Sequence, residues 1–138
     1  MKTKILSLTL TLLLLFSAFL CFGCKKEEVP TTIWDTAVQK EDATLGEGAK
    51  TVSVKIEAGD KSITLTIRTD KSTLSEAMKE HGLLAGEDGL YDTVNGIYAD
   101  YSKDKSYWML YKDGEMAPYG ADDATVTGGE EYAWVYTK

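Results

Sequence analysis

The stretch from Ser106 to Gly114, Ser-Tyr-Trp-Met-Leu-Tyr-Lys-Asp-Gly, constrains this chain more than any other. On an extended strand Tyr107, Met109 and Tyr111 project to one side and Trp108 and Leu110 to the other, so both faces carry large apolar groups. Such a strand is expected in the middle of a sheet. Asp113-Gly114 then supplies the positive φ of a tight turn, where the strand should reverse. Aromatic rings give much contact area at low conformational cost, which suits a core or a ligand platform equally.

The surrounding pattern fits a small domain. Val52, Val54 and Ile56 alternate with polar residues, and after Ala58-Gly59-Asp60-Lys61 the alternation resumes at Ile63, Leu65 and Ile67, as expected of a hairpin. Thr73-Leu-Ser-Glu76 is a capping box. A helix should start there, with Leu74, Ala77, Met78 and His81 on one stripe and Gly82 as its stop. Leu90 to Val94, Asn95-Gly96 and Ile97-Tyr98 read as a second, shorter hairpin. Thr125-Val126-Thr127 is a candidate short strand. After Gly128-Gly129, a last strand carries Tyr132, Trp134 and Tyr136 on one side. The order predicts an α+β class: a small β-grasp-like domain with a mixed sheet, one main helix on one face and an extra hairpin. That helix covers only one side of the sheet, so one face of the Ser106 strand lacks a partner. The Trp108 and Leu110 side is expected to be core, leaving Tyr107 and Tyr111 nearer a ligand.

The first 23 residues read as an export signal: Lys2 and Lys4, an apolar run from Ile5 to Phe22, then Gly23 before Cys24. Leu20-Cys21-Phe22-Gly23-Cys24 resembles the bacterial lipobox, which implies acylation of Cys24 and anchoring to a lipid bilayer, with an extracytoplasmic location for the rest. Residues 24–50 turn charged and small, as a flexible tether does. Trp34 within them either docks on the domain or sits in a short helical turn. The folded domain is expected over 51–138.

Composition narrows the function. The chain of 138 residues has a formal charge of −7, and without Lys2 and Lys4 it holds 13 basic and 22 acidic residues, hence −9. Such a balance argues against nucleic acid. His81 stands alone and is assigned no chemistry. There is no Gly-x-Ser-x-Gly, His-Glu-x-x-His or phosphate loop, so no enzyme and no required cofactor are expected. Asp100, Asp104, Asp113, Asp122 and Asp123 do not follow calcium-loop spacing, and a solvated acidic surface is expected instead.

Leu90-Tyr91 with Val94-Asn95-Gly96, then Ser106 to Tyr111, then Gly120-Ala121-Asp122 and a closing Gly-rich turn and strand resemble the C-terminal domain of transcobalamin and intrinsic factor. The same pattern recurs in bacterial surface proteins with transcobalamin-like C-terminal domains. The resemblance covers roughly Ser62 to Lys138. It implies a lid-like domain that closes over cobalamin or another corrinoid, with Tyr107, Trp108, Leu110 and Tyr119 as candidate contacts. Tyr111 joins them from the reading of the strand's faces. The helical barrel of the vertebrate carriers is missing here, so a second surface protein is the expected source of the rest of the site. The competing expectation is an adhesive or protein-interaction module with no small-molecule ligand.

Overall fold

The computed structural model describes residues 32–87 and 89–138. Gly23, Cys24 and the expected signal lie outside them. Nine strands form two sheets among the described residues. The larger sheet contains β1 (Ala43–Leu45), β2 (Lys50–Ala58), β3 (Lys61–Thr69), β7 (Tyr107–Lys112), β8 (Glu115–Met116) and β9 (Glu131–Thr137), in the order β1-β3-β2-β9-β7-β8. The smaller contains β4 (Leu84–Glu87), β5 (Leu90–Val94) and β6 (Ile97–Tyr98), in that order. Helix α1 (Leu74–Lys79) and the single turn α2 (Tyr101–Asp104) complete the regular structure with a 3-10 turn at Ile33–Thr36.

The α+β expectation holds, and the sheet is mixed: β2 pairs antiparallel with β3 but parallel with β9. The alternation in β2 and β3 puts Val52, Val54, Ile56, Ile63, Leu65 and Ile67 on one buried face, where they meet Trp134 and Tyr132 of β9. Each such side chain contributes about 1.5–3 kcal/mol when buried. Onto this face α1 lays Leu74, Ala77 and Met78, all fully buried. The Thr73 hydroxyl accepts the Glu76 amide at 3.3 Å, as an N-cap should. The amides of Leu74 and Ser75, which have no partner within the helix, donate to the carbonyls of Ala124 and Ala121. The helix is thereby stitched to the loop after β8. Trp134 Nε1 reaches the Met78 sulfur at 3.2 Å from the sheet side.

Two expectations about strands are corrected. The Ser106 strand is not central: β9 lies along its whole length, but β8 covers only Tyr111 and Lys112, so β7 is nearly an edge. Its apolar residues on both faces reflect a cleft along that edge rather than a second covering layer. Thr125 to Thr127 form no strand, only an isolated bridge between Thr73 and Thr125.

The ordered fold also begins before Thr51. Trp34 is buried and donates its indole N–H to the Ala58 carbonyl at 2.8 Å, so it both sits in a 3-10 turn and docks on the sheet. Further on, β1 pairs parallel with β3 at the sheet's edge. Residues 33–50 therefore pack on the domain and do not act as a tether. Buried Asn95 clamps them: its side chain accepts the Gln39 amide and donates to the Gln39 carbonyl, both at 2.8 Å. Gly96 beside it has φ 77°, and a Cβ there would lie 2.4 Å from the Thr36 carbonyl oxygen. Only glycine admits both the turn and that close approach.

Candidate functional site

A cleft of about 1060 Å³ runs along the open edge of β7, between it and the β5–β6 hairpin. Four consecutive residues, Tyr107 to Leu110, line it. A cavity touches both faces of a strand only where it lies along the strand's edge. The ladder to β8 stops with the Ala117 amide on the Leu110 carbonyl at 3.0 Å, short of Trp108. The opposite wall is the edge of β5, because β6 pairs only with Thr93 and Val94 and leaves Leu90, Tyr91 and Asp92 facing the gap. A bulge at Ala85/Gly86 bends β4 at the far end of this wall.

The floor is buried and apolar, made by Trp108, Leu110 and Trp134. Trp108 donates its indole N–H to the Ile97 carbonyl at 3.0 Å and stacks edge-on against Tyr136 at 5.4 Å. The rim is apolar and open. Leu90, Tyr98, Tyr101, Tyr107 and Met116 are 39–79 % exposed, and all five line the cleft. Among the described residues, only Ile33 and Val38 are exposed large hydrophobics elsewhere.

The single turn α2 carries Tyr101 to that rim. Asp100 caps it, accepting the Ser102 amide and hydroxyl and the Lys103 amide, and Lys105 ends it at φ 63°. Ser106 locks the loop from below by accepting the Asp100 amide and donating to Asp104 at 2.5 Å. The Ser102 hydroxyl and the two amides hold the Asp100 carboxyl below its usual range, and the Ser106 hydroxyl and amide do the same for Asp104. Tyr101 meets Tyr107 edge-on at 6.2 Å. The negative charge of Asp100 pushes the Tyr98 hydroxyl up from its ordinary value. At the other end, Tyr91 donates to Asp122 at 2.5 Å. Hydrogen bonds from Ser75 and then Tyr91 keep the Asp122 carboxyl low.

Of the residues expected from sequence, Tyr107, Trp108, Leu110 and Tyr119 line this cleft. Tyr111 does not. It lines a separate hollow on the opposite face of the sheet, with Lys55, Ala133 and Val135. Trp108 and Leu110 are buried, as their face predicts, yet they also floor the cleft. Sequence reasoning missed Tyr98, Tyr101, Leu90 and Met116. Their signal was exposure, which alternation does not report at the first residue of a strand, as at Leu90, in strands of two residues or in a one-turn helix.

Comparison with known proteins gives a consistent fold. Residues 71–138 match the model of a family described as a domain of unknown function, DUF4430. A Ruminococcus gnavus protein described as a candidate metal binding protein is similar at 27% identity and a TM-score of 0.60, over 65% of this chain and 98% of its own. Haptocorrin, in complex with Cbi, is similar at 18% identity and a TM-score of 0.50, over 64% of this chain and 25% of its own. No curated protein matches the chain. The chain is thus similar in fold to part of haptocorrin, and the fold is transcobalamin-like.

Proposed function

We propose that this protein is a binding module, not an enzyme, that receives a flat polycyclic ligand in the cleft beside β7, with cobalamin or another corrinoid as the ligand class. The carrying observation is the gathering of five exposed large apolar side chains around one cleft. Isolated exposed hydrophobics are ordinary, but a contiguous set around a concavity marks a binding surface. At about 1060 Å³ the cleft is at the upper end of small-molecule sites, which run to about 1,000 Å³. The likeness to haptocorrin in complex with Cbi supports the corrinoid class. The match spans a quarter of haptocorrin, and the proposal includes a second surface protein that covers the ligand's other side. The metal-binding description of the Ruminococcus gnavus protein finds less support, since among the described residues no three His, Cys, Asp or Glu side chains converge.

The proposal extends to location: an extracytoplasmic protein held to the bilayer by acylated Cys24, from the apolar run and the Gly23-Cys24 junction. One acyl chain binds a membrane marginally, whereas two anchor it stably. The test is equilibrium titration of residues 25–138 with cyanocobalamin, read by absorbance of the bound corrin. Saturable binding at one site supports the reading. The same protein remaining unbound, alone and with candidate partner chains, would favour the adhesive alternative. That alternative rests on the open sheet face, where Tyr111 lies partly exposed beside Ala133 and Val135.

A further inference from the structure

The charged residues that line the cleft are of one sign. Glu87, Asp92 and Asp100 line it, and no lysine, arginine or histidine does among the described residues. The acids come from three separate elements, the end of β4, β5 and the cap of α2, and so lie along different walls. The Glu87 side chain is exposed and makes no hydrogen bond or ion pair among the described residues. The Asp92 carboxylate accepts the neighbouring Thr93 hydroxyl at 2.9 Å, and its backbone carbonyl takes the Ala99 amide. Among the described residues neither carboxylate is paired with a cation of the protein. Asp100 is engaged by its cap donors, and its field still reaches Tyr98, which lies on the same rim.

The rings reinforce that sign. An aromatic face attracts a cation held within about 6 Å of its centre. Two rings that line the cleft already hold a lysine in this way: Lys105 Nζ lies 4.8 Å from the Tyr101 centroid, and Lys79 Nζ lies 4.9 Å from the Tyr91 centroid. Neither lysine lines the cleft. A low-dielectric wall of rings and alkyl groups also focuses the field of nearby carboxylates into the space they enclose.

We infer that the cleft selects a ligand with net positive charge, a cationic flat macrocycle or a polycyclic amine, over neutral and anionic molecules of the same shape. The inference rests on the cleft being a ligand site, and it adds the charge of the ligand to that reading.

Two probe sets separate the inference from the corrinoid reading. The first is one corrin ring in three charge states: cationic aquocobalamin, neutral cyanocobalamin and an anionic monocarboxylate of cyanocobalamin. The second is a porphyrin carrying either cationic or anionic side groups. Affinities are measured at low and high salt, for the native protein, for Glu87→Gln with Asp92→Asn, and for Tyr101→Ala as a marker of the site. The expected order is cation, neutral, anion, with about two- to fivefold per charge step at low salt, shrinking at high salt. The double substitution should compress that ladder, and Tyr101→Ala should weaken every member of it. Corrinoids that bind with equal affinity whatever their charge, or the anion binding tightest, would overturn the inference and leave the corrinoid reading standing. Binding of the cationic porphyrin with no corrinoid binding would overturn the corrinoid reading and keep the charge selection. Binding of no probe, or cation binding indifferent to Tyr101→Ala, would overturn the inference.

Discussion

Trp108 and Ile97 are joined across the cleft floor by an indole-to-carbonyl hydrogen bond of 3.0 Å, which ties the six-stranded sheet to the three-stranded one. The bond is buried, so each partner depends on the other. Trp108→Phe keeps most of the ring volume but loses the bond to the Ile97 carbonyl, which should cost about 0.5–1.5 kcal/mol. Trp108→Ala should cost about 3–5 kcal/mol by also leaving a cavity. Urea unfolding of the two variants checks this, and a Phe variant as stable as the native protein would remove the bond from the account.

Trp34 should prove to be core. Trp34→Ala loses a buried ring, its bond to Ala58 and its stacking under Lys61, whose Nζ lies 4.9 Å from the ring. The expected loss is about 3 kcal/mol or more. A truncated chain beginning at Thr51, lacking Trp34 and β1, should melt well below the chain beginning at Lys25. Equal melting temperatures would restore the tether reading of residues 24–50.

Glu130 should make stability depend on acid. Burial works against its carboxylate, but the Thr127 hydroxyl and amide and the Gly128 amide outweigh it and bring the carboxyl from its ordinary 4.5 down to about 2. A carboxyl depressed on folding contributes its stability above the ordinary value and loses it as pH falls from about 4.5 through about 2. Glu130→Gln should cost about 1 kcal/mol at pH 7, a figure reduced for solvent screening. The gap between variant and native protein should close over that pH window. A gap that persists at pH 2 would assign the loss to packing.

Thr73→Ala removes the cap of α1 and should cost about 1 kcal/mol. Thr73→Ser should restore most of it, because the hydroxyl alone makes the bond. Thermal melts of the pair decide, and equal losses would mean that the threonine methyl matters more than the cap.

Much of this fold is legible in the sequence, because its signals are periodic and local. Val52 to Ile67 show their hairpin by strict alternation, and Thr73 and Glu76 mark the start of α1 by composition alone. Asn95-Gly96 likewise marks its turn. The same asparagine also clamps Gln39, and nothing local could reveal it, since the partners are 56 residues apart. Strand β1 is three residues long and pairs in parallel, which leaves no periodic trace. The cleft was half legible. Tyr107, Trp108 and Leu110 stood out by size, but alternation sorts residues by face, and this cleft lies along an edge that both faces share. For the same reason Tyr111, within the end of β7 that β8 covers, was grouped with residues from which the structure separates it.

The most direct test of the central claim is the corrinoid affinity of three variants beside the native protein: Tyr101→Ala and Tyr98→Ala on the rim, and Tyr111→Ala on the far face. Both rim rings are about 60 % exposed, at 61% and 59%, so their removal should leave the melting temperature within a degree or two. Each rim variant should lose about tenfold or more in affinity, the order of one well-placed aromatic contact, while Tyr111→Ala binds as the native protein does. Rim variants that bind unchanged, or a loss confined to Tyr111→Ala, would contradict the assignment of the cleft as the ligand site.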